Sequence, residues 1–202
     1  FKDVAAQFIS QFMDFAVPNK QTILVATSGD TGGAIASAFD GHLRFHVVVL
    51  FPVNGVSPLQ KHQLTCWSKN VISLGVDGSF DDCQKIVKNL LADKELTKKF
   101  NFTSANSINI ARLLPQACYY GFSSICYFLQ TKRNANFVIP TGNMGNAVGA
   151  FWAKEMGFPI HKIGMATNSN KVVSDYFQTG KFQPTPSVAT LANAMDVGNP
   201  SN

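Results

Sequence analysis

Short apolar runs separated by helix-length segments dominate this chain, and that alternation restricts its fold more than any other feature. Residues 22–26 (Thr-Ile-Leu-Val-Ala) and 46–51 (His-Val-Val-Val-Leu-Phe) are apolar at consecutive positions, which marks buried strands. Residues 71–76, 137–140 and 162–166 read as further strands. Helical segments lie between them: 34–39, rich in small residues; 57–65, opening on Ser57-Pro58; and 171–179. A helix opened by Ser79 or Asp81 carries Cys83, Ile86, Val87, Leu90 and Leu91 on its apolar side. Residues 3–15 place Phe8, Phe12 and Phe15 on one face at helical spacing, and Pro18-Asn19 ends that helix. Residues 108–129 form a long apolar helix with Pro115 as a kink point. Strands and helices in alternation predict an α/β fold with open parallel sheets flanked by helices. The polar segment 131–136 offers a division into two domains.

Composition narrows the class further. The 202 residues are 46% hydrophobic and only 14% charged, with 17 phenylalanines, whereas a soluble domain is usually about 25% charged. That balance excludes a disordered tail. The longest apolar stretch, 47–53, is interrupted by Pro52 and falls far short of the roughly 20 residues of a membrane span. The net charge of +5 is scattered, with no basic stripe, so no nucleic-acid partner is expected. Cys66, Cys83, Cys118 and Cys126 form no CxxC pair and are expected as small buried thiols in a reducing compartment. The four histidines have no metal-ligand spacing, so no metal is expected. The chain begins at Phe1 rather than Met and stops on Gly-Asn-Pro-Ser-Asn, the expectation being a piece of something larger.

Two glycine-rich loops sit where parallel sheets bind ligands, after a strand and before a helix. The first, Ala26-Thr27-Ser28-Gly29-Asp30-Thr31-Gly32-Gly33, offers three hydroxyls and backbone N–H groups near a positive helix end, a cradle for carboxylate or phosphate. Its plainer reading is a tight turn with Asp30 or Thr31 capping the helix. The second is Pro140-Thr141-Gly142-Asn143-Met144-Gly145-Asn146, in which glycines let the backbone approach a ligand and Asn146 can cap the next helix. It matches neither GxGxxG nor a Walker A loop. Two such loops suggest a ligand with more than one anionic group. Arg112 lies one turn inside an apolar helix for which Asn106 or Ser107 is the candidate N-cap. A buried guanidinium needs an anion, either an acidic residue of the fold or a ligand phosphate.

In this order the segments resemble the threonine synthases, pyridoxal-phosphate enzymes of the tryptophan-synthase-β-like fold (fold type II). The resemblance is carried by Phe-Lys-Asp (1–3), Ala-Thr-Ser-Gly-Asp-Thr-Gly (26–32), Val-Ser-Pro-Leu-Gln (56–60) and Asp-Gly-Ser-Phe-Asp-Asp-Cys-Gln (77–84). Asn-Ser-Ile-Asn-Ile-Ala-Arg (106–112), Pro-Thr-Gly-Asn-Met-Gly-Asn (140–146), Ala-Thr-Asn (166–168) and Ala-Thr-Leu-Ala-Asn-Ala-Met-Asp-Val (189–197) complete it. It implies a two-domain cleft truncated at both ends. Residues 1–20 would be the helix carrying the Schiff-base lysine, 21–131 a smaller domain, and 132–202 part of the larger cofactor-binding domain. It further implies that Lys2 bonds the cofactor, pyridoxal 5'-phosphate, and shuttles protons. Asp30 would stand beside the cofactor's phenolic oxygen, where relatives of this fold place Asn. Gly142, Asn143, Met144, Gly145 and Asn146 would wrap its phosphate. Thr27, Ser28 and Thr31 would take the substrate carboxylate, and Asn106, Ser107 and Arg112 the substrate's own phosphate. The family loop usually reads Gly-Asn-Phe-Gly-Asp, so Met144 and Asn146 are departures, and the hydroxyl partner of the pyridine nitrogen lies beyond the residues given.

The implied reaction converts O-phospho-L-homoserine, a small-molecule substrate, and water to L-threonine and phosphate by γ-elimination and β-addition. A phospho-lyase giving 2-oxobutyrate and a non-catalytic fragment are the alternatives. The expected location is cytoplasmic, other targeting and the choice between monomer and homodimer staying open.

Overall fold

A computed structural model describes residues 2–107 and 109–202. Phe1 of the Phe-Lys-Asp signature and Ile108, the expected start of the long helix, lie outside the described residues. The fold is α/β with parallel sheets flanked by helices. Helix α1 (Lys2–Ala16) precedes β1 (Gln21–Ala26), α2 (Asp30–Phe39), β2 (Phe45–Pro52), α3 (Pro58–Thr65), β3 (Val71–Val76) and α4 (Phe80–Ala92). Then come α5 (Lys94–Phe100), β4 (Phe102–Ser104), α6 (Ile110–Thr131), β5 (Ala135–Pro140), α7 (Gly145–Glu155), β6 (Ile160–Ala166) and α8 (Val172–Thr179). A parallel four-stranded sheet has the order β3-β2-β1-β4, and β5 pairs with β6 in a second parallel sheet.

The consecutive apolar residues of β1 serve two cores. Ile23 and Val25 face α1 and α2, where they meet Ile9, Ile35 and Phe39; Leu24 and Ala26 face α4, where they meet Phe80, Cys83 and Val87. A strand covered on both sides cannot alternate polar and apolar residues. A third core, with Tyr120, Ile139, Ala150 and Ile160, fills the space between α6, α7 and the second sheet. Helix α6 packs on α1 as well as α7, so it forms the wall shared by the two sheets.

Several expectations are corrected. In α1 the buried stripe is Ala5, Ala6, Ile9 and Met13, while Phe8, Phe12 and Phe15 face solvent, the first two stacked with centroids 5.9 Å apart. Small residues face the core because α1 lies close to α2 and α6. Arg44 pins its far end, donating to Asp14 Oδ1 at 2.7 Å and to the Val17 carbonyl at 2.8 Å. The segment 94–104, to which the sequence pattern assigns no element, forms α5 and β4. Asp93 Oδ1 caps α5 by accepting from Leu96 N, and β4 exists because the free edge of β1 pairs with it from Thr22 to Leu24. The N-cap of α6 is Asn109, whose Oδ1 accepts from Ala111 N, rather than Asn106 or Ser107. Of the cysteines only Cys83 is fully buried; Cys126 is half-buried, and Cys66, the residue that ends α3, and Cys118 are exposed. No helix of the described residues is long and apolar enough to cross a membrane.

Candidate active site

Parallel pairing brings Ala26 opposite Leu50 at the carboxyl end of the first sheet, and the loop to α2 departs there. Thr27 organises this loop. Its buried Oγ1 accepts from Gly29 N at 3.0 Å and Gly32 N at 2.9 Å, and lies 3.1 Å from the Gly29 carbonyl as a donor. The hydroxyl is therefore consumed inside the loop. It supplies the cap expected of Asp30 or Thr31, since α2 begins at Asp30 behind Gly29, which makes no side-chain cap. The groups left for a ligand are the hydroxyls of Ser28 and Thr31 and first-turn N–H groups without an intrahelical acceptor.

Asn106 is spent in the same way. Its Nδ2 donates to the Ala26 carbonyl at 2.7 Å and its Oδ1 accepts from Ala26 N at 2.9 Å, so it straps the start of α6 to the end of β1. Ser107 and Arg112 then follow beside the cavity. Arg112 is only 4% exposed, yet no acidic side chain pairs with it among the described residues. Its Nη1 reaches the Ala105 carbonyl at 3.2 Å and its Nε has no partner. Burial lowers its pKa from 12.5 to about 10, which still leaves a cation at neutral pH. An unpaired buried cation in a cavity wall is a site for an anion.

The second sheet supplies the opposite wall. After β5, Thr141 donates to the Ile139 carbonyl, and Met144 adopts the left-handed conformation (φ 61°) as the N-cap of α7. The first-turn N–H groups of α7, at Gly145, Asn146 and Ala147, stand at a positive helix end beside the cavity. Asn146 does not cap. It donates to Gln116 Oε1 at 3.0 Å and to Tyr119, and accepts from Tyr120. The glycines of this loop admit protein neighbours: a Cβ at Gly142 would lie 3.0 Å from Met195 Cα, and one at Gly145 would lie 2.9 Å from Ser107 Cβ. The turn 193–195 is itself held by Asp196, which accepts from Asn168, Thr190 and Asn170.

Lys2, at the start of α1, closes the cavity with a largely buried side chain. Its Nζ lies 3.8 Å from Asp30 Oδ2. Burial lowers its pKa from 10.5, Asp30 opposes that shift, and Arg112 adds to it. One cavity is thus lined by Lys2, Thr27, Ser28, Thr31, Asn106, Ser107, Arg112 and residues 142–146. Asp30 stands outside its lining and meets it through Lys2. The sequence reading missed Gln116, Phe80, Met195 and Val197 in the walls, and Gln60, whose amide donates to Asp30 Oδ1 at 2.9 Å. Phe80, Met195, Val197 and Gln60 lie in segments that carry the resemblance, and Gln60 also closes the Ser-x-x-Gln capping box of α3, which accounts for its backbone role alone.

A buried amine, an unpaired buried guanidinium and two helix N-termini around one cavity, on parallel sheets, make a site for a ligand that carries anionic groups within reach of an amine. The sequence profile of the pyridoxal-phosphate dependent enzymes matches residues 1–202, and the chain belongs to that family. It is 42% identical over 204 residues to threonine synthase of Serratia marcescens, an alignment that covers 100% of this chain and 47% of the relative. The crystal structure of threonine synthase from Escherichia coli superposes with a TM-score of 0.92 at 42% identity, over 99% of this chain and 47% of that one. The pyridoxal-phosphate-bound threonine synthase from Brucella melitensis gives 0.85 at 38% identity, over 98% and 44%. The chain spans about half the length of the curated relatives it matches. Its residues fit the family's cofactor: a buried amine of lowered pKa for the aldehyde, and the α7 N-terminus for the phosphate.

Proposed function

We propose that this chain carries the catalytic cavity of a threonine synthase that converts O-phospho-L-homoserine and water to L-threonine and phosphate. The observation that carries the reading is Arg112, buried, cationic and without an acidic partner, in the same cavity as Lys2. In this reading residues 21–131 form a smaller domain, residues 132–202 belong to a larger one, and the substrate lies in the cleft between them. Lys2 and the loop 142–146 hold pyridoxal 5'-phosphate, which when bound supplies an electron sink for negative charge on the substrate carbons.

The chain's own groups then divide the work. The Lys2 amine takes and returns protons at the substrate carbons, and burial, by lowering its pKa, favours the neutral form that accepts a proton. Ser28, Thr31 and the α2 N-terminus orient the substrate carboxylate. Arg112 and Ser107 face the substrate phosphate, whose charge grows as it leaves from Cγ, so the guanidinium binds the departing group more strongly than the ground state. Asn106 acts by strapping the start of α6 in place. Phe80, Met195 and Val197 limit access of bulk water to the cavity.

Incubating the protein that carries this chain with pyridoxal phosphate and O-phosphohomoserine is expected to release threonine and phosphate in equal amounts. Borohydride is expected to fix the cofactor on Lys2. Arg112→Ala should lower kcat/KM by roughly 30- to 1000-fold, about 2–4 kcal/mol, with cofactor loading intact. Production of 2-oxobutyrate and ammonia without threonine would refute the reading, as would loss of cofactor binding in the Arg112 variant.

A further inference from the structure

Four side-chain hydrogen bonds fix which way round the Gln60 amide sits. Its Oε1 accepts from Ser57 N at 3.0 Å and from Asn193 Nδ2 at 2.8 Å. Its Nε2 donates to Asp30 Oδ1 at 2.9 Å and to Asn193 Oδ1 at 3.3 Å. The Ser57 N–H requires an oxygen, which leaves the amide nitrogen facing the Asp30 carboxylate; a flipped amide would set oxygen against oxygen. Gly29 is shaped to this contact. Its φ is +143°, and a Cβ there would lie 2.5 Å from Gln60 Nε2.

Asp30 turns its other oxygen toward Lys2, at 3.8 Å, although about half of its own side chain is exposed. An exposed carboxylate at that range gains little from the ion pair alone and has rotamers that lead into solvent. We propose that Gln60 is a positioning residue, holding one oxygen of Asp30 so that the other stays against Lys2, with Asn193 locking Gln60 in that orientation. The charged groups facing Lys2 are Asp30 from α2 and Arg112 from α6. Burial first, and Arg112 with it, favour the neutral amine, while Asp30 opposes them, so turning Asp30 away from Lys2 moves the amine further toward its neutral form. Gln60 thereby tunes how readily Lys2 accepts a proton, and it ties that property to the turn 193–195. The inference rests on the proposed function only for the use made of Lys2.

Trace labelling of the cofactor-free protein with acetic anhydride, followed by mass spectrometry, reads the pH at which Lys2 becomes reactive, independently of catalysis. Asp30→Asn is expected to lower that midpoint by about one pH unit. Gln60→Leu should shift it in the same direction, and the double variant should match Asp30→Asn, because Gln60 acts through Asp30. Asn193→Ala leaves the α3 capping box in place and should give a smaller shift of the same sign, so the question is answered even where Gln60→Leu fails to fold. Midpoints in the Gln60 and Asn193 variants equal to the parent's, or a double variant whose shift is the sum of the two, would overturn the proposal. Shifts as expected, with no borohydride-fixed cofactor on Lys2, would uphold this positioning and remove the proposed function instead.

Discussion

Residue chemistry in the cavity separates groups that serve the fold from groups left available to a ligand. Thr27 and Asn106 both line it, yet the hydroxyl of one and the amide of the other are used up by backbone partners. Arg112 and Lys2 are the opposite case, since each carries a burial cost that the protein itself does not fully offset. For Lys2 the cost has a sign that can be measured. Its folded pKa lies below 10.5, so between that value and 10.5 the unfolded chain binds a proton that the native chain lacks. The free energy of unfolding contributed by Lys2 therefore rises with pH across this window, and below it the native chain bears the full cost of the buried ammonium. Lys2→Met removes the cost. The cofactor-free variant is expected to melt above its parent at neutral pH, with the gap closing as pH climbs toward 10.5. A parallel series of thermal melts checks this, and a gap that widens with pH would contradict it.

At the scale of elements, the site depends on how tightly helices approach the strand ends. Helix α2 lies against β2 and α3 at Gly32, where a Cβ would come within 2.4 Å of Leu64 Cδ2, 2.6 Å of Thr27 Cγ2 and 2.9 Å of Val49 Cγ1. Alanine would gain up to about 1 kcal/mol in helix propensity, but fully buried Leu64 cannot yield without a cavity opening elsewhere. Overpacking costs about 1–3 kcal/mol, so Gly32→Ala should destabilise on balance. A urea transition with a lower midpoint and an unchanged slope is the expected result, and a rise in the midpoint would show that the helix can shift. The elements that carry the site were also the most legible ones. β1 and β2 showed themselves by runs of consecutive apolar residues, and α3 and α4 by the helix openings at Ser57-Pro58 and Ser79, which the structure shows to be capping boxes. By contrast, β4 is three residues long and is fixed by the hydrogen-bonding edge of β1, a partner about eighty positions away.

Across the whole molecule, the cavity joins segments from both sheets, and α6 connects its two walls. The same arrangement leaves apolar faces bare. Val4, Phe8, Phe12 and Phe15 on α1, and Phe122, Ile125 and Leu129 on α6, are exposed in a chain with little surface charge. Apolar surface on this scale favours association. The polypeptide alone should bind a hydrophobic dye and self-associate as its concentration rises. Phe12→Ser should weaken both while moving the urea transition by no more than about 0.5 kcal/mol, because the ring is half exposed and stacks on Phe8 at the surface. A steep loss of stability in that variant would place Phe12 in a core.

The sequence by itself determined the α/β class, the five principal strands and the two loops with helix N-termini, because burial and turn chemistry are local in periodicity. The resemblance to a family added expected roles, and the cavity brings all those residues but Asp30 into its lining. Only the tertiary structure decided which face of α1 is buried, that Arg112 has no acidic partner among the described residues, and that Gln60 reaches Asp30 across thirty positions. Those facts are pairings between distant segments. A pattern along one chain carries the propensity of each side chain, but the partner that satisfies or spares it is chosen when the chain folds.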